Sequence, residues 1–282
     1  MPAFTNRATL SYNGSTTNSN TVTGNLVEVL SAEKTALRDE YGTNDSITYV
    51  VNITNAGTTP YTNLTVTDNL GEYPFGTETL VPLTYLVGSL RYLVNGTPTA
   101  EPTVTAGPPL VITGINVPAQ GNATLIYEAR INEFAPTGLE SGITNTALIS
   151  GGGLSTPITV EATVNAESRA NLTISKAICP PTVTENGQLT YTFVIQNSGN
   201  IPADATDAVT LTDTFNPILN NITVTYNGNP WDESNYTYNT ESGEFSTVPG
   251  QITVPAAVYT QQEDGTWLID PGVSTLVITG TV

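Results

Sequence analysis

The chain has no histidine and a single cysteine, Cys179, among its 282 residues. A Ser-His-Asp triad is thereby excluded, and so are a Cys/His zinc site and an intrachain disulfide. Cys179 reads as a small buried or half-buried thiol, with an intersubunit disulfide as the alternative. Basic side chains are scarce: 7 Lys and Arg stand against 25 Asp and Glu, a formal net charge of −18. A nucleic acid or an anionic membrane would repel such a chain, because the phosphate term is unfavourable. The acidity reads as solubility outside the cell. No apolar run approaches the ~20 residues of a membrane span, so no membrane insertion is expected. Met1-Pro2-Ala3-Phe4 carries neither the basic nor the apolar part of a signal peptide. A trimmed leader would reconcile this with an extracellular location on a bacterial cell or spore surface, as would release from a lysed sporulating mother cell. There is no phosphate-cradling loop, nucleophile elbow or general acid-base pair. Asp204, Asp207 and Asp213, and Asp264 with Asp270, lack a calcium-loop spacing and read as solvated loops. The expectation is a protein without cofactor or metal that is not an enzyme, except in so far as it reacts with itself.

What the chain does have is Thr, Asn, Val, Gly and Pro, the make-up of β modules, since β-branched side chains fit a pleated sheet. It also repeats itself. Ser46-Ile47-Thr48-Tyr49-Val50-Val51-Asn52-Ile53-Thr54-Asn55 matches Gln188-Leu189-Thr190-Tyr191-Thr192-Phe193-Val194-Ile195-Gln196-Asn197, and Lys34 matches Lys176, an offset of 142 residues in each case. Leu64–Leu70 matches Val209–Phe215 after a slip of three residues, and Thr124-Leu125-Ile126-Tyr127 matches Thr275-Leu276-Val277-Ile278. The strands alternate: Ile47, Tyr49, Val51 and Ile53 share one face, as do Leu189, Tyr191, Phe193 and Ile195. Short alternating runs between Gly, Pro and Asn turns predict an all-β fold of two tandem Ig-like Greek-key sandwiches. The units are 28–167, a complete sandwich, and 168–282, an incomplete one, preceded by a segment 1–27. The aromatics Tyr226, Trp231, Tyr236, Tyr238 and Trp267 crowd the divergent part of the second repeat. They read as core or loop anchors, or else as a binding surface.

These motifs resemble a Gram-positive bacterial surface repeat, the domain of unknown function eleven. It has an early strand with lysine, then a Tyr-Thr-x-x-Val/Ile-x-Asn-x-Gly strand, a Val-Thr-Asp-x-Leu strand and a closing Ile-Thr-Asn-x-Ala strand. The resemblance covers most of both repeats and implies a surface β-sandwich.

Alternation places three polar residues on apolar faces. Lys34 lies with Leu30, Ala32 and Ala36, and Lys176 with Leu172, Ile174 and Ile178; these are the two lysines of the chain. Asp68 lies with Leu64, Val66 and Leu70, and Asp213 with Val209, Leu211 and Phe215. Asn145 lies with Ile143, Ala147 and Ile149. Buried lysines are rare unless paired. Surface sandwiches that resemble this one can form an autocatalytic Lys–Asn isopeptide bond. Desolvation would favour the neutral amine and the protonated acid that the chemistry needs. The resemblance implies Lys34 cross-linked to Asn145 within the first unit, with Asp68 as proton relay. The bland alternative is a buried Lys–Asp ion pair that accepts a hydrogen bond from Asn.

The closing strand has a second copy at the wrong end of the chain. Phe4-Thr5-Asn6-Arg7-Ala8-Thr9-Leu10-Ser11 repeats Ile143-Thr144-Asn145-Thr146-Ala147-Leu148-Ile149-Ser150, and no such strand follows the second repeat before Val282. Asn13-Gly14-Ser15 reads as a turn, and the strand after it is expected near Ser19–Thr23. The expectation is donor-strand insertion of this segment into another copy. Phe4, Ala8 and Leu10 would fill the neighbour's core, and Asn6 would meet Lys176 and Asp213 in an intermolecular cross-link. The chain is then a head-to-tail fibre subunit, its main partner another copy of itself, with a surface anchor protein as a further partner. The alternatives are an adhesin or ligand-binding module, a fragment of a longer cell-surface repeat array, and a segment that folds back on its own second repeat.

Overall fold

The computed structural model describes residues 3–25 and 27–282. The chain is all-β, and among the described residues the helical content is two single 3₁₀ turns, Ala205–Asp207 and Glu233–Asn235. The first of these occupies the loop that absorbs the three-residue slip between repeats. Its N-cap, Asp204, accepts hydrogen bonds from the Thr206 amide and hydroxyl.

The segment at the start is a β-hairpin. Strands β1 (Ala3–Asn6) and β2 (Thr9–Tyr12) turn at Asn13-Gly14 and return as β3 (Ser15–Asn18) and β4 (Val22–Asn25). The returning strand starts sooner than the residues suggest, because Asn13 and Gly14 both take positive φ (42° and 78°). That is the two-residue turn whose twist matches a hairpin. Phe4 pairs with Gly24, Asn6 with Val22 and Leu10 with Thr17. The Phe4 ring covers Gly24, where a Cβ would sit 2.4 Å from the ring. All the other described residues from Ala3 to Asn25 are exposed, so the hairpin rests on neither sandwich.

The first sandwich has two sheets. One carries β5 (Leu30–Ala36) and β6 (Ser46–Asn55); the other carries β7 (Tyr61–Asp68) and β8 (Leu110–Val117). Strand β9 (Gly121–Ile131) joins the first sheet beside β6, while β10 (Gly142–Gly151) and β11 (Ile158–Ala166) join the second beyond β7. The orders are β9-β6-β5 and β8-β7-β10-β11, each extended by short edge strands. The inward residues expected from alternation (Ile47, Tyr49, Val51, Ile53, Val66, Ile143, Ala147 and Ile149) all lie in one closed core.

The second repeat builds the same first sheet. Strand β12 (Leu172–Cys179) pairs with β13 (Gln188–Asn197) as β5 does with β6. Its opposing sheet is much smaller. Strand β14 (Thr212–Thr214), the counterpart of β7, heads a three-stranded sheet whose other members are β16 (Tyr236–Tyr238) and β17 (Glu244–Thr247). Between them in sequence, β15 (Asn220–Tyr226) crosses to the first sheet and pairs with β18 (Gly272–Thr281), the counterpart of β9. A separate core forms around Leu189, Phe193, Phe215, Phe245 and Leu276. Tyr226, Trp231, Tyr236 and Tyr238 pack against it, the first three in a stack of rings 5.1 and 6.3 Å apart. They act as anchors of the core. Trp267 lies apart, on a ribbon pairing Val258–Gln261 with Trp267–Asp270. That ribbon touches the first sandwich through Gln261 Nε2 to the Tyr73 hydroxyl (3.0 Å).

Two expectations are corrected here. Cys179 is exposed. Lys176 does not point into a closed core, and its side chain is 40% exposed. Cys179 is on the opposite face of β12 from Lys176, and its first-repeat counterpart Leu37 is exposed too. On the Lys176 side, in the first repeat β11 runs beside the equivalent strand β5. Among the described residues nothing takes that place in the second repeat, so Ile174 and Ile178 also reach solvent.

Candidate cross-linking centre

Lys34 sits on β5 opposite Val51, with its ammonium 4.9 Å from the Tyr49 ring centroid. Asp68 ends β7, in register with Leu110 on one side and Ala147 on the other. Its Oδ1 accepts the amide N–H of Leu70 at 2.8 Å, which secures the tight turn in which Leu70 takes φ 55°. Its Oδ2 accepts from Lys34 Nζ at 2.7 Å and also from the Tyr127 hydroxyl. Neither member of the Lys34–Asp68 pair reaches solvent. Burial pulls the Lys34 pKa down to about 8 even though Asp68 pulls it up. The desolvation of the ammonium therefore outweighs its partner's charge.

Asn145, on β10 opposite Ala162, is wholly buried. Neither its Oδ1 nor its Nδ2 has a hydrogen-bond partner among the described residues, and the buried Tyr49 hydroxyl has none either. Each unpaired buried group of this kind costs about 1–3 kcal/mol. Burial raises the phenol pKa of both Tyr49 and Tyr127. The Asn145 amide lies near enough to both hydroxyls to offset a little of that rise, although it does not meet them in bonding geometry. The first sandwich thus brings Lys34, Asp68 and Asn145 into one apolar pocket, as alternation requires. Tyr49 and Tyr127 complete it, and sequence reasoning missed their part. Their signal was two tyrosines at inward positions; in the fold they are opposite each other on β6 and β9.

In the second repeat Lys176 donates to Asp213 Oδ2, with its ammonium 4.5 Å from the Tyr191 ring centroid and 5.6 Å from that of Phe215. Asp213 Oδ1 accepts the Thr214 amide at 3.0 Å. The Asp213 side chain is 18% exposed. Ile278 holds the place of Tyr127. Strand β14 pairs with β17 on one side, and among the described residues its other edge is unpaired. In the first repeat the equivalent edge of β7 is where β10 binds. Asn6 is on the free hairpin, exposed, as are Phe4, Ala8 and Leu10. Within one chain, therefore, Asn6 is not brought to Lys176.

No family model matches the chain, and no curated protein does. Solved structures overlap it distantly. The major pilin subunit BcpA of Bacillus cereus is 15% identical, with a TM-score of 0.36 over 96% of this chain and 73% of that one. The pilus backbone protein RrgB of Streptococcus pneumoniae is 12% identical, with a TM-score of 0.36 over 86% of this chain. A family 123 glycoside hydrolase from Clostridium perfringens is 10% identical, with a TM-score of 0.31 over 50% of this chain. This chain spans 55% of the RrgB chain and 28% of the hydrolase chain. At this distance the function has to be argued from the residues themselves.

Proposed function

We propose that the protein is a structural subunit of an extracellular bacterial fibre. It polymerises when the hairpin Ala3–Asn25 of one copy completes the second sandwich of the next. One observation carries this reading. The exposed hairpin face Phe4, Asn6, Ala8 and Leu10 repeats the buried face Ile143, Asn145, Ala147 and Ile149, while β12 and the edge of β14 stand uncovered. The hairpin is also paired like its counterpart, Asn6 facing Val22 as Asn145 faces Ala162. Since Ala147 lies opposite Asp68 in the first repeat, Ala8 of the incoming hairpin would lie opposite Asp213. Asn6, two residues earlier on the same face, would then meet Lys176.

Insertion of this kind uses unpaired sheet edges and apolar pockets together. The contact joins different surfaces of identical copies, so it propagates into a filament unless a ring closes. Within the first sandwich, Lys34 and Asn145 condense to an isopeptide with Asp68 as proton relay. At the joint, Lys176 and Asn6 do the same with Asp213. The units are 1–27, 28–167 and 168–282, and the fibre stands on the bacterial surface, where an anchor protein would hold it. Tyr226, Trp231, Tyr236 and Tyr238 are packed against the core of the second repeat, which counts against the rival reading as a ligand-binding module.

A boiled denaturing gel with intact mass tests this. A ladder of multiples is expected from the full chain. Deletion of residues 1–25 should abolish polymers, and Asn6→Ala should leave filaments that denaturant separates. Polymers that survive the deletion would overturn the donor reading.

A further inference from the structure

The first centre contains more than the three residues that exchange atoms. Three buried polar atoms in it lack partners: Asn145 Oδ1, Asn145 Nδ2 and the Tyr49 hydroxyl. The Tyr127 hydroxyl, by contrast, is committed to Asp68 Oδ2, the oxygen that also holds Lys34. The two rings lie 5.8 Å apart at 30°, held by the pairing of Tyr49 with Tyr127 across β6 and β9. Leaving the carbonyl oxygen of Asn145 and the Tyr49 hydroxyl unpartnered in one buried pocket carries a cost in the resting state. That cost is recovered only when charge appears on the oxygen, the condition for speeding a reaction rather than merely stabilising the ground state.

We infer that the Tyr49 and Tyr127 hydroxyls are the oxyanion donors of the first centre, holding the carboxamide oxygen of Asn145 while Lys34 adds to its carbon. This rests on the cross-linking reading above. The Lys34 ammonium gives a proton to Asp68 Oδ2. The Nζ lone pair then forms a bond to Asn145 Cγ, and the carbonyl π pair moves onto Oδ1. With Asp68 protonated, the Tyr127 hydroxyl no longer faces a carboxylate and turns to Oδ1 beside that of Tyr49. When the pair on Oδ1 re-forms the carbonyl, the Cγ–Nδ2 bond breaks. The departing nitrogen takes one proton from the Asp68 carboxyl, and Nζ gives one back to Asp68. Of the five hydrogens on the ammonium and the amide, one stays on Nζ, three leave as ammonia, and the fifth remains on Asp68 or departs with ammonia as ammonium. Burial keeps both phenols protonated, so they remain donors throughout. The second centre retains the Tyr49 position as Tyr191 but has Ile278 for Tyr127, and so has one such donor.

The test follows the loss of one ammonia by intact mass in freshly made full-length protein, comparing wild type with Tyr49→Phe, Tyr127→Phe and the double variant. Each single change should slow the reaction on the order of 100-fold, the loss usual for one oxyanion donor. For Tyr49→Phe, whose hydroxyl bonds to neither member of the Lys34–Asp68 pair among the described residues, the midpoint of the rate–pH profile should stay where it is in wild type. A structural role would instead disturb that pair and move the midpoint. If the double variant does not fold, Tyr49→Phe decides alone, because its hydroxyl has no hydrogen-bond partner among the described residues. Variants as fast as wild type, or a Tyr49→Phe variant slowed with a shifted midpoint, overturn the inference and leave the cross-link standing. A wild type that loses no ammonia overturns both.

Discussion

Lys34 and Asp68 meet at 2.7 Å with neither side chain open to solvent, while their counterparts Lys176 and Asp213 also pair but stay partly wet. The same two residue types therefore occupy one closed and one open environment in a single chain. The difference is a hairpin: β10 and β11 close the first centre, and the second has no equivalent among the described residues.

Removing the acid of the closed pair should be costly in two ways. Asp68→Ala leaves a buried ammonium unpaired and the Tyr127 hydroxyl without its acceptor. Breaking a buried pair by truncating one partner typically costs about 3–5 kcal/mol. The reference is Asn145→Ala, which also lacks the cross-link, so that urea unfolding of the two variants isolates the pair. Asp68→Ala should in addition lose no ammonia by intact mass. A variant that still does so would remove Asp68 from the reaction.

The depressed Lys34 pKa has a thermodynamic signature in Asn145→Ala protein, where the amine stays free. The folded value is about 8 and the ordinary value 10.5. Between about 8 and 10 the unfolded chain holds a proton that the folded protein has released, so stability rises with pH across that window. Below it both states are protonated and the gain is absent. Above 10 the sign reverses, because Tyr49 and Tyr127 ionise in the unfolded chain before they do in the fold. Urea midpoints across the window check this, and a flat or falling profile would contradict the desolvated amine.

Ala8 is a steric probe of the joint. Its counterpart Ala147 is fully buried opposite Asp68, while Ala8 itself is exposed in the free chain. Ala8→Phe should leave the monomer's unfolding unchanged and overpack the neighbour's core. Overpacking of about 1–3 kcal/mol corresponds to roughly 5- to 150-fold weaker association per joint. Sedimentation of the variant, made in an Asn6→Ala background so that assembly is reversible, measures it. Association as tight as that of the background would mean that the hairpin seats in another register.

Assembly should also quench exchange at a defined edge. Among the described residues Thr212–Thr214 pairs on one side alone, and docking would supply the other strand. Slower hydrogen exchange at these amides and along Leu172–Cys179 is expected in polymer relative to monomer. Equal exchange in the two states would place the contact elsewhere.

Much of the first centre was legible in the chain because it depends on a local rule. Side chains alternate along a strand, so a lysine, an aspartate and an asparagine flanked by apolar neighbours at two-residue spacing must share their face. The fold class followed from the same period, and the repeat named the equivalent positions in both halves. The sequence alone also showed that Phe4–Ser11 repeats the pattern of Ile143–Ser150.

Other features depended on which strands become neighbours, and no local pattern encodes that. Tyr127 reaches Asp68 because β9 and β7 face each other across the core, although the two residues stand 59 positions apart in the chain. Lys176 is exposed although its strand has the alternation of a buried one, because burial requires a second layer and not a pattern alone. The return strand of the hairpin was misplaced because the positive φ of Asn13 and Gly14 allows a two-residue turn, which shifts every pairing behind it. The alternation fixed what each strand offers to a core, and the tertiary structure decided which of those offers is met within the chain and which is left open at β12 and β14.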